Sequence, residues 1–150
     1  RAVAGHEAVL SALGPRDGQY GVLPGGVKNI VEAMGAAGVT RLIHVTSFGV
    51  GDSRAQMGWV ARQVIVPLFL RKALDEKELE EQVIRASSLH WIIARPGGLE
   101  DGPRTGVYRC ITDVRETVGR PRIARADVAD FMLNNLTDDR FVRQAVGLTY

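Results

Sequence analysis

The chain has a single cysteine, Cys110, in 150 residues, so no disulfide can close within it and a reducing setting is expected. Its histidines, His6, His44 and His90, are too dispersed for a metal site, and no metal is expected. Lys and Arg are scattered and the net charge is only +2, which lacks the basic stripe of a nucleic-acid binder. The most apolar stretch, Met57 to Leu70, is broken by Arg62, Gln63 and Pro67 and falls short of the ~20 residues that cross a bilayer. No basic, apolar leader occurs in these residues, so the expected compartment is the cytoplasm. The chain opens on Arg1 rather than methionine, with no strand before Ala8, and the fold is expected to begin upstream.

What is present is ordinary globular composition, 45% hydrophobic and 24% charged with 17 glycines. The length suits one domain over residues 1–150, able to bury roughly 70% of the surface its unfolded form exposes. Ala8 to Leu13 is a short apolar run closed by Gly14-Pro15, read as a buried strand ending at a turn. Gly18 to Gly26 is turn-rich, and then Val27, Ile30, Val31 and Met34 recur at helical spacing, with Gly38 as the C-terminal cap. Val39 to Val45 is apolar without alternation, as in a parallel strand covered on both faces. A charged helix is expected from about Lys72 to Ala86, with Leu79, Val83 and Ala86 inward. Trp91 to Ala94 gives another buried strand, stopped by Pro96, before a loop from Gly97 to Gly106. A short strand at Val107 to Thr112, a helix facing the core through Ala129, Met132, Leu133 and Leu136, and a strand through Val146, Leu148 and Tyr150 complete the order. Strands alternating with helices imply a doubly wound, Rossmann-like α/β fold with a parallel sheet.

In such sheets ligands bind beyond the C-terminal strand ends. That rule selects Leu13-Gly14-Pro15, Thr46-Ser47-Phe48-Gly49 and Arg95-Pro96-Gly97-Gly98-Leu99, whose small residues let a ligand approach the backbone.

Six segments in unbroken order carry a resemblance: Leu13-Gly14; Arg41 to Ser47; Asp75-Glu76-Lys77; Trp91 to Leu99; Thr105 to Tyr108; and Asp127 to Leu133. Together they resemble the atypical short-chain dehydrogenase/reductases of the NAD(P)H-binding, NmrA-like family, the branch that includes the biliverdin and flavin reductases. The resemblance implies NADP(H) or NAD(H) as cofactor and a small-molecule substrate. It also implies that Leu13, Gly14, Thr46, Ser47, Phe48, Lys77, Pro96, Gly97, Gly98 and Leu99 bind the cofactor, with Ser47 and Lys77 as catalytic candidates. That family carries a Gly-rich phosphate loop after its first strand, and no such motif occurs here, so the sheet is expected to be incomplete at its N-terminus. Gly25-Gly26 is a poor substitute, because no strong strand precedes it.

Several residues keep a structural alternative. Ser47 is a site hydroxyl or a turn cap; Lys77 approaches the cofactor ribose or is a solvated lysine paired with Glu81. Gly97 and Gly98 contact the nicotinamide or simply form a turn. His44 reads as a satisfied core histidine, and Asp127 as a helix-capping acid. Trp59 and Phe69 line a lid or a core. The implied reaction is hydride transfer to a flat conjugated acceptor such as a flavin or quinone. No Tyr precedes Lys77 by four residues, where Ala73 stands, which weighs against alcohol dehydrogenase chemistry. The rivals are a redox-sensing module that binds a dinucleotide without turnover, and a cofactor-incompetent fragment with an exposed sheet edge.

Overall fold

A computed structural model describes residues 2–14, 21–116, 118 and 121–150. Pro15 and Gly18, read above as turn residues, lie outside them. The elements run β1 (Ala8–Ser11), α1 (Leu23–Ala37), β2 (Arg41–Val45), a 3-10 helix (Gly51–Gln56), a π-helix (Ala61–Leu70), α2 (Arg71–Arg85), β3 (His90–Pro96), β4 (Gly98–Glu100), β5 (Arg109–Ile111), β6 (Arg122–Ala124), α3 (Arg125–Asn134) and β7 (Gln144–Thr149). The main sheet has the order β1-β2-β3-β7-β5. Its first four strands are parallel and β5 is antiparallel to β7. A second, two-stranded parallel sheet joins β4 to β6.

Period-two geometry explains why the strand sequences do not alternate. In β2 and β3, Leu42, Trp91 and Ile93 point to one face, where they meet Val27 and Met34 of α1 and Ile84 of α2. Ile43, Ile92 and Ala94 point to the other, onto Val128, Phe131 and Met132 of α3 and Val146 and Leu148 of β7. Both faces are covered, so both sets must be apolar. This is a Rossmann-like fold, as expected.

Local signals act where they were read. Gly38 ends α1 in the left-handed conformation at φ 70°, and Val39 N donates back to the Met34 carbonyl at 3.0 Å, a glycine-dependent helix stop. The start of α1 has no side-chain cap of its own. Instead Glu76, from α2, accepts from Gly21 N at 2.6 Å and Leu23 N at 3.2 Å.

Four expectations are corrected. Strand β1 is not buried: among the described residues it pairs only with β2, and Leu10 and Leu13 stay exposed. In α2 Leu79 faces outward and Ala86, just past the helix end, is exposed, while Leu74 and Ile84 are buried together with Glu76, Lys77, Glu80 and Glu81. The inward face of this helix is therefore largely polar, and the apolar spacing misplaced it. In α3 Leu133 is exposed and the core is met by Val128, Phe131 and Met132. Strands β4 and β6 were not foreseen: β4 falls inside the stretch from Gly97 to Gly106 read as a loop, β6 lies between that stretch and α3, and each is too short to show a period. No helix among the described residues is long and apolar enough to cross a membrane.

Asp127 does not cap α3 with its side chain. Its carboxylate accepts from Thr105 N at 2.8 Å, Gly106 N at 2.9 Å, Thr105 Oγ1 at 2.8 Å and Tyr150 Oη at 2.7 Å. Burial opposes ionisation, but the bonds from Tyr150, Gly106 and Thr105 outweigh it and hold the carboxyl down at about 2. An unfolded Asp titrates near ~3.9. The carboxylate therefore stabilises the fold fully above about pH 4, and that contribution is lost as pH falls toward 2. Urea midpoints of the wild type are expected to fall steeply over this window while those of Asp127→Asn stay flatter. Parallel pH dependences would refute this account of the anchor.

Candidate functional site

A cleft of about 360 Å³ opens at the C-terminal ends of β1 and β2, where ligands sit in open parallel sheets. Ala12, Leu13 and Gly14 follow β1; Val45 and Thr46 end β2; Lys77 comes from α2 and Leu99 from β4. Arg125, Val128, Ala129 and Met132 of α3 close the other side. The lining thus carries two cations, one hydroxyl, no carboxylate and a mostly apolar wall.

Five of the sequence candidates converge here: Leu13, Gly14, Thr46, Lys77 and Leu99. Gly14 has ordinary φ, and a Cβ built there meets nothing within 4 Å. Its lack of a side chain leaves open backbone beside the cleft. Lys77 is neither solvated nor paired with Glu81. Its ammonium donates to the Leu13 carbonyl at 2.6 Å and to Glu80 Oε2 at 3.1 Å. Thr46 N donates to the Ala94 carbonyl at 2.8 Å, and Thr46 Oγ1 donates to Glu81 at 2.9 Å.

The same Glu81 holds Arg95 at two points, Nε at 2.9 Å and Nη2 at 2.7 Å, and Arg95 also pairs with Asp52. Burial alone would raise the Asp52 carboxyl, but the Arg95 guanidinium holds it below its usual value. This cluster fixes the ends of β2 and β3 against α2.

Ser47, Phe48, Pro96, Gly97 and Gly98 are not on the cleft's lining. Ser47 Oγ donates to the Phe48 carbonyl at 3.2 Å, and its own carbonyl accepts from Val50 N at 3.3 Å, the geometry of a turn. Phe48 is buried with Ile111 and Val118, and Phe48 N donates to the Pro96 carbonyl at 2.8 Å. Gly97 N donates to the Leu148 carbonyl at 3.0 Å and Gly98 N to the Pro121 carbonyl at 2.8 Å, so neither N–H is free for a ligand. Trp59 stands exposed and off the cleft, and the side chain of Phe69 lies outside the described residues.

Sequence reasoning missed Arg125, Val128, Ala129 and Met132, because a helix face that serves both core and cleft gives only a core signal. It read His44 as a satisfied core residue, and the ring has partners at both nitrogens. Tyr108 and Tyr150 donate to Asp130 and Asp127. Burial and then Asp130 raise the Tyr108 phenol far above its ordinary value.

The cleft fits one end of a dinucleotide. Its volume lies at the small end of the ~300–1,000 Å³ range of ligand pockets, room for a ring and its ribose. Lys77 and Arg125 put two cations on the lining, each with a carboxylate partner outside it, Glu80 at 3.1 Å and Asp101 at 2.6 Å. The one described helix start beside β1, that of α1, already has its Gly21 and Leu23 N–H groups on the Glu76 carboxylate. It offers no ready cradle for a pyrophosphate.

Comparison with known proteins agrees. A family model described as NAD(P)H-binding matches residues 1–139. A Bacillus subtilis protein named as the uncharacterized sugar epimerase YhfK is 30% identical over 124 residues, 83% of this chain and 51% of its own length. The structure of ChuY, an anaerobillin reductase from Escherichia coli O157:H7, superimposes with TM-score 0.76 at 26% identity, covering 95% of this chain and 64% of that one. A short-chain dehydrogenase/reductase of Veillonella parvula, solved in complex with NADP, shares the fold, with TM-score 0.79 at 19% identity over 99% of this chain and 65% of that one. The chain spans about half the length of the curated relatives it matches.

The two loop glycines differ in a way that can be measured. A Cβ on Gly97 would lie 2.4 Å from the Pro121 carbonyl carbon and oxygen, whereas one on Gly98 has Pro121 O no nearer than 3.6 Å. Gly97→Ala is expected to destabilise by about 1–3 kcal/mol through forced backbone displacement, and Gly98→Ala to change little. Equal urea midpoints for the two variants would contradict the packing role of Gly97.

Proposed function

The chain belongs to the NAD(P)H-binding family, and from that premise we propose that it forms the nicotinamide-side portion of a reductase of the NmrA-like branch, acting on a flat conjugated acceptor such as a flavin or quinone. The observation that carries this reading is the cleft itself, lying beyond the parallel strand ends, lined by Lys77 and Arg125 without any carboxylate and walled by Leu99, Val128 and Met132. Its neighbour ChuY is a reductase, which favours turnover over a purely sensing role. A lone exposed Cys110 fits a reducing cytoplasm.

Bound NAD(P)H would supply the hydride. The chain's own residues orient and exclude water. Gly14 leaves the backbone open to close approach, and Lys77 presents an ammonium N–H to a ribose hydroxyl or carbonyl oxygen. Thr46, whose hydroxyl already donates to Glu81, offers oxygen lone pairs to a ligand donor. The apolar wall gives a planar ring a dry surface to lie against. Ser47 acts by shaping the turn after β2, so the proton that accompanies hydride transfer comes from Lys77 or from solvent.

NADPH fluorescence titration tests the proposal on this chain and on the polypeptide extended upstream through its reading frame. Binding by the extended form is expected, weakened about tenfold by Lys77→Met through loss of a charged hydrogen-bond donor. A flavin or dye reductase assay on the same protein separates a reductase from a sensor. Failure of both forms to bind would refute the cofactor reading.

A further inference from the structure

The inward face of α2 carries a feature that fold stability does not account for. Glu80 is 0% exposed, His44 1%, Ser11 5% and Lys77 8%. They form one chain of contacts: Ser11 Oγ to His44 Nδ1 at 3.0 Å, His44 Nε2 to Glu80 Oε2 at 2.8 Å, and Lys77 Nζ to the same Glu80 oxygen at 3.1 Å. Lys77 then closes the ring by donating to the Leu13 carbonyl at 2.6 Å. An ionised carboxylate only accepts, so the tautomer that satisfies both contacts has its hydrogen on Nε2, leaving Nδ1 to accept from the Ser11 hydroxyl. The ring leaves β1 at Ser11, crosses β2 and α2, and returns to the segment that follows β1, two residues later at Leu13.

Well-packed apolar side chains would serve the core as well as such a buried charged group, or better. What the ring achieves is placement. Lysine is among the most flexible side chains, and immobilising it has a substantial entropic cost. An ammonium has three donors; Glu80 and Leu13 take two, and Lys77 itself lines the cleft. We infer that Glu80 and His44 are positioning residues: through the ring they lock the Lys77 ammonium and the Leu13-Gly14 backbone together as one preformed surface, with a single lysine N–H left for the ligand. Held this way, Lys77 and Gly14 need no reordering when a ligand enters. The ring's geometry is independent of the cofactor assignment; only the ligand's identity as NADPH rests on the reading above.

Lys28 and Lys72, the other two lysines in the chain, serve as internal references. Brief acetylation with acetic anhydride at fixed pH, read by mass spectrometry, is expected to label Lys77 much more slowly than Lys28 and Lys72. In Glu80→Gln the Lys77 rate is expected to rise about fivefold or more, and the NADPH dissociation constant of the extended polypeptide about tenfold, with kcat changing less, as for loss of a charged hydrogen bond. His44→Leu should move both readouts the same way, and His44→Gln, whose amide can still donate to Glu80, should restore them. A purely structural role would leave Lys77 labelling unchanged in folded variants. Labelling and affinity within twofold of wild type in folded Glu80→Gln would overturn the inference. So would a wild-type Lys77 as reactive as Lys28, an outcome that needs no variant to fold. If the labelling contrast holds while NADPH fails to bind, the cofactor reading falls and the positioning ring stands.

Discussion

The two-point ion pair between Glu81 and Arg95 is the contact on which the working end of the molecule depends. Both side chains are buried, and the pair joins the middle of α2 to the last residues of β3, while Thr46 ties the end of β2 to the same carboxylate. Removing one partner would leave a buried charge without compensation, a loss of about 3–5 kcal/mol. Its position matters more than its strength. The pair sets the height of α2 over the strand ends, and one helical turn earlier the same face presents Lys77 to the cleft. A helix held only by Leu74 and Ile84 could shift along the sheet, because apolar contact is not directional.

That use of α2 explains where the sequence was legible and where it was not. Strands β2 and β3 were readable because a sheet covered on both faces demands apolar residues on both, and Leu42, Ile43, Trp91, Ile92, Ile93 and Ala94 meet that demand. Helix α1 was readable because its buried side chains follow one helical period and Gly38 ends it. Helix α2 misled because its inward face holds Glu76, Lys77, Glu80 and Glu81, each bonded to a partner distant in sequence. A periodicity argument counts such residues as solvent-facing and turns Leu79 inward. The signal that could have found them is the excess of acids on a helix next to strands containing His44 and Arg95.

The site was half legible for a related reason. Position alone identified Leu13, Gly14 and Thr46, since strand ends in a parallel sheet are where ligands gather. The contribution of α3 was hidden, because Val128 and Met132 pack in the core as well as lining the cleft. Gly97 and Gly98 lay in the right loop for the wrong reason. In Gly97 the missing side chain makes room for Pro121, which brings β4 alongside β6 and so carries Leu99 to the cleft. A glycine that admits another backbone and one with open space around it look identical in sequence, and only the neighbouring atoms distinguish Gly97 from Gly14.

The same acids therefore carry three levels of the structure. Glu76 occupies the start of α1, Glu81 locks the ends of β2 and β3, and Glu80 binds His44 and Lys77, so one helix face sets helix entry, strand height and cleft chemistry together. Glu76 also occupies the N–H groups at the start of α1, where an anion would otherwise bind. Lys77 and Arg125 stand on the cleft lining with Glu80 and Asp101 as their partners, and the buried ring behind Lys77 holds its ammonium at a fixed point.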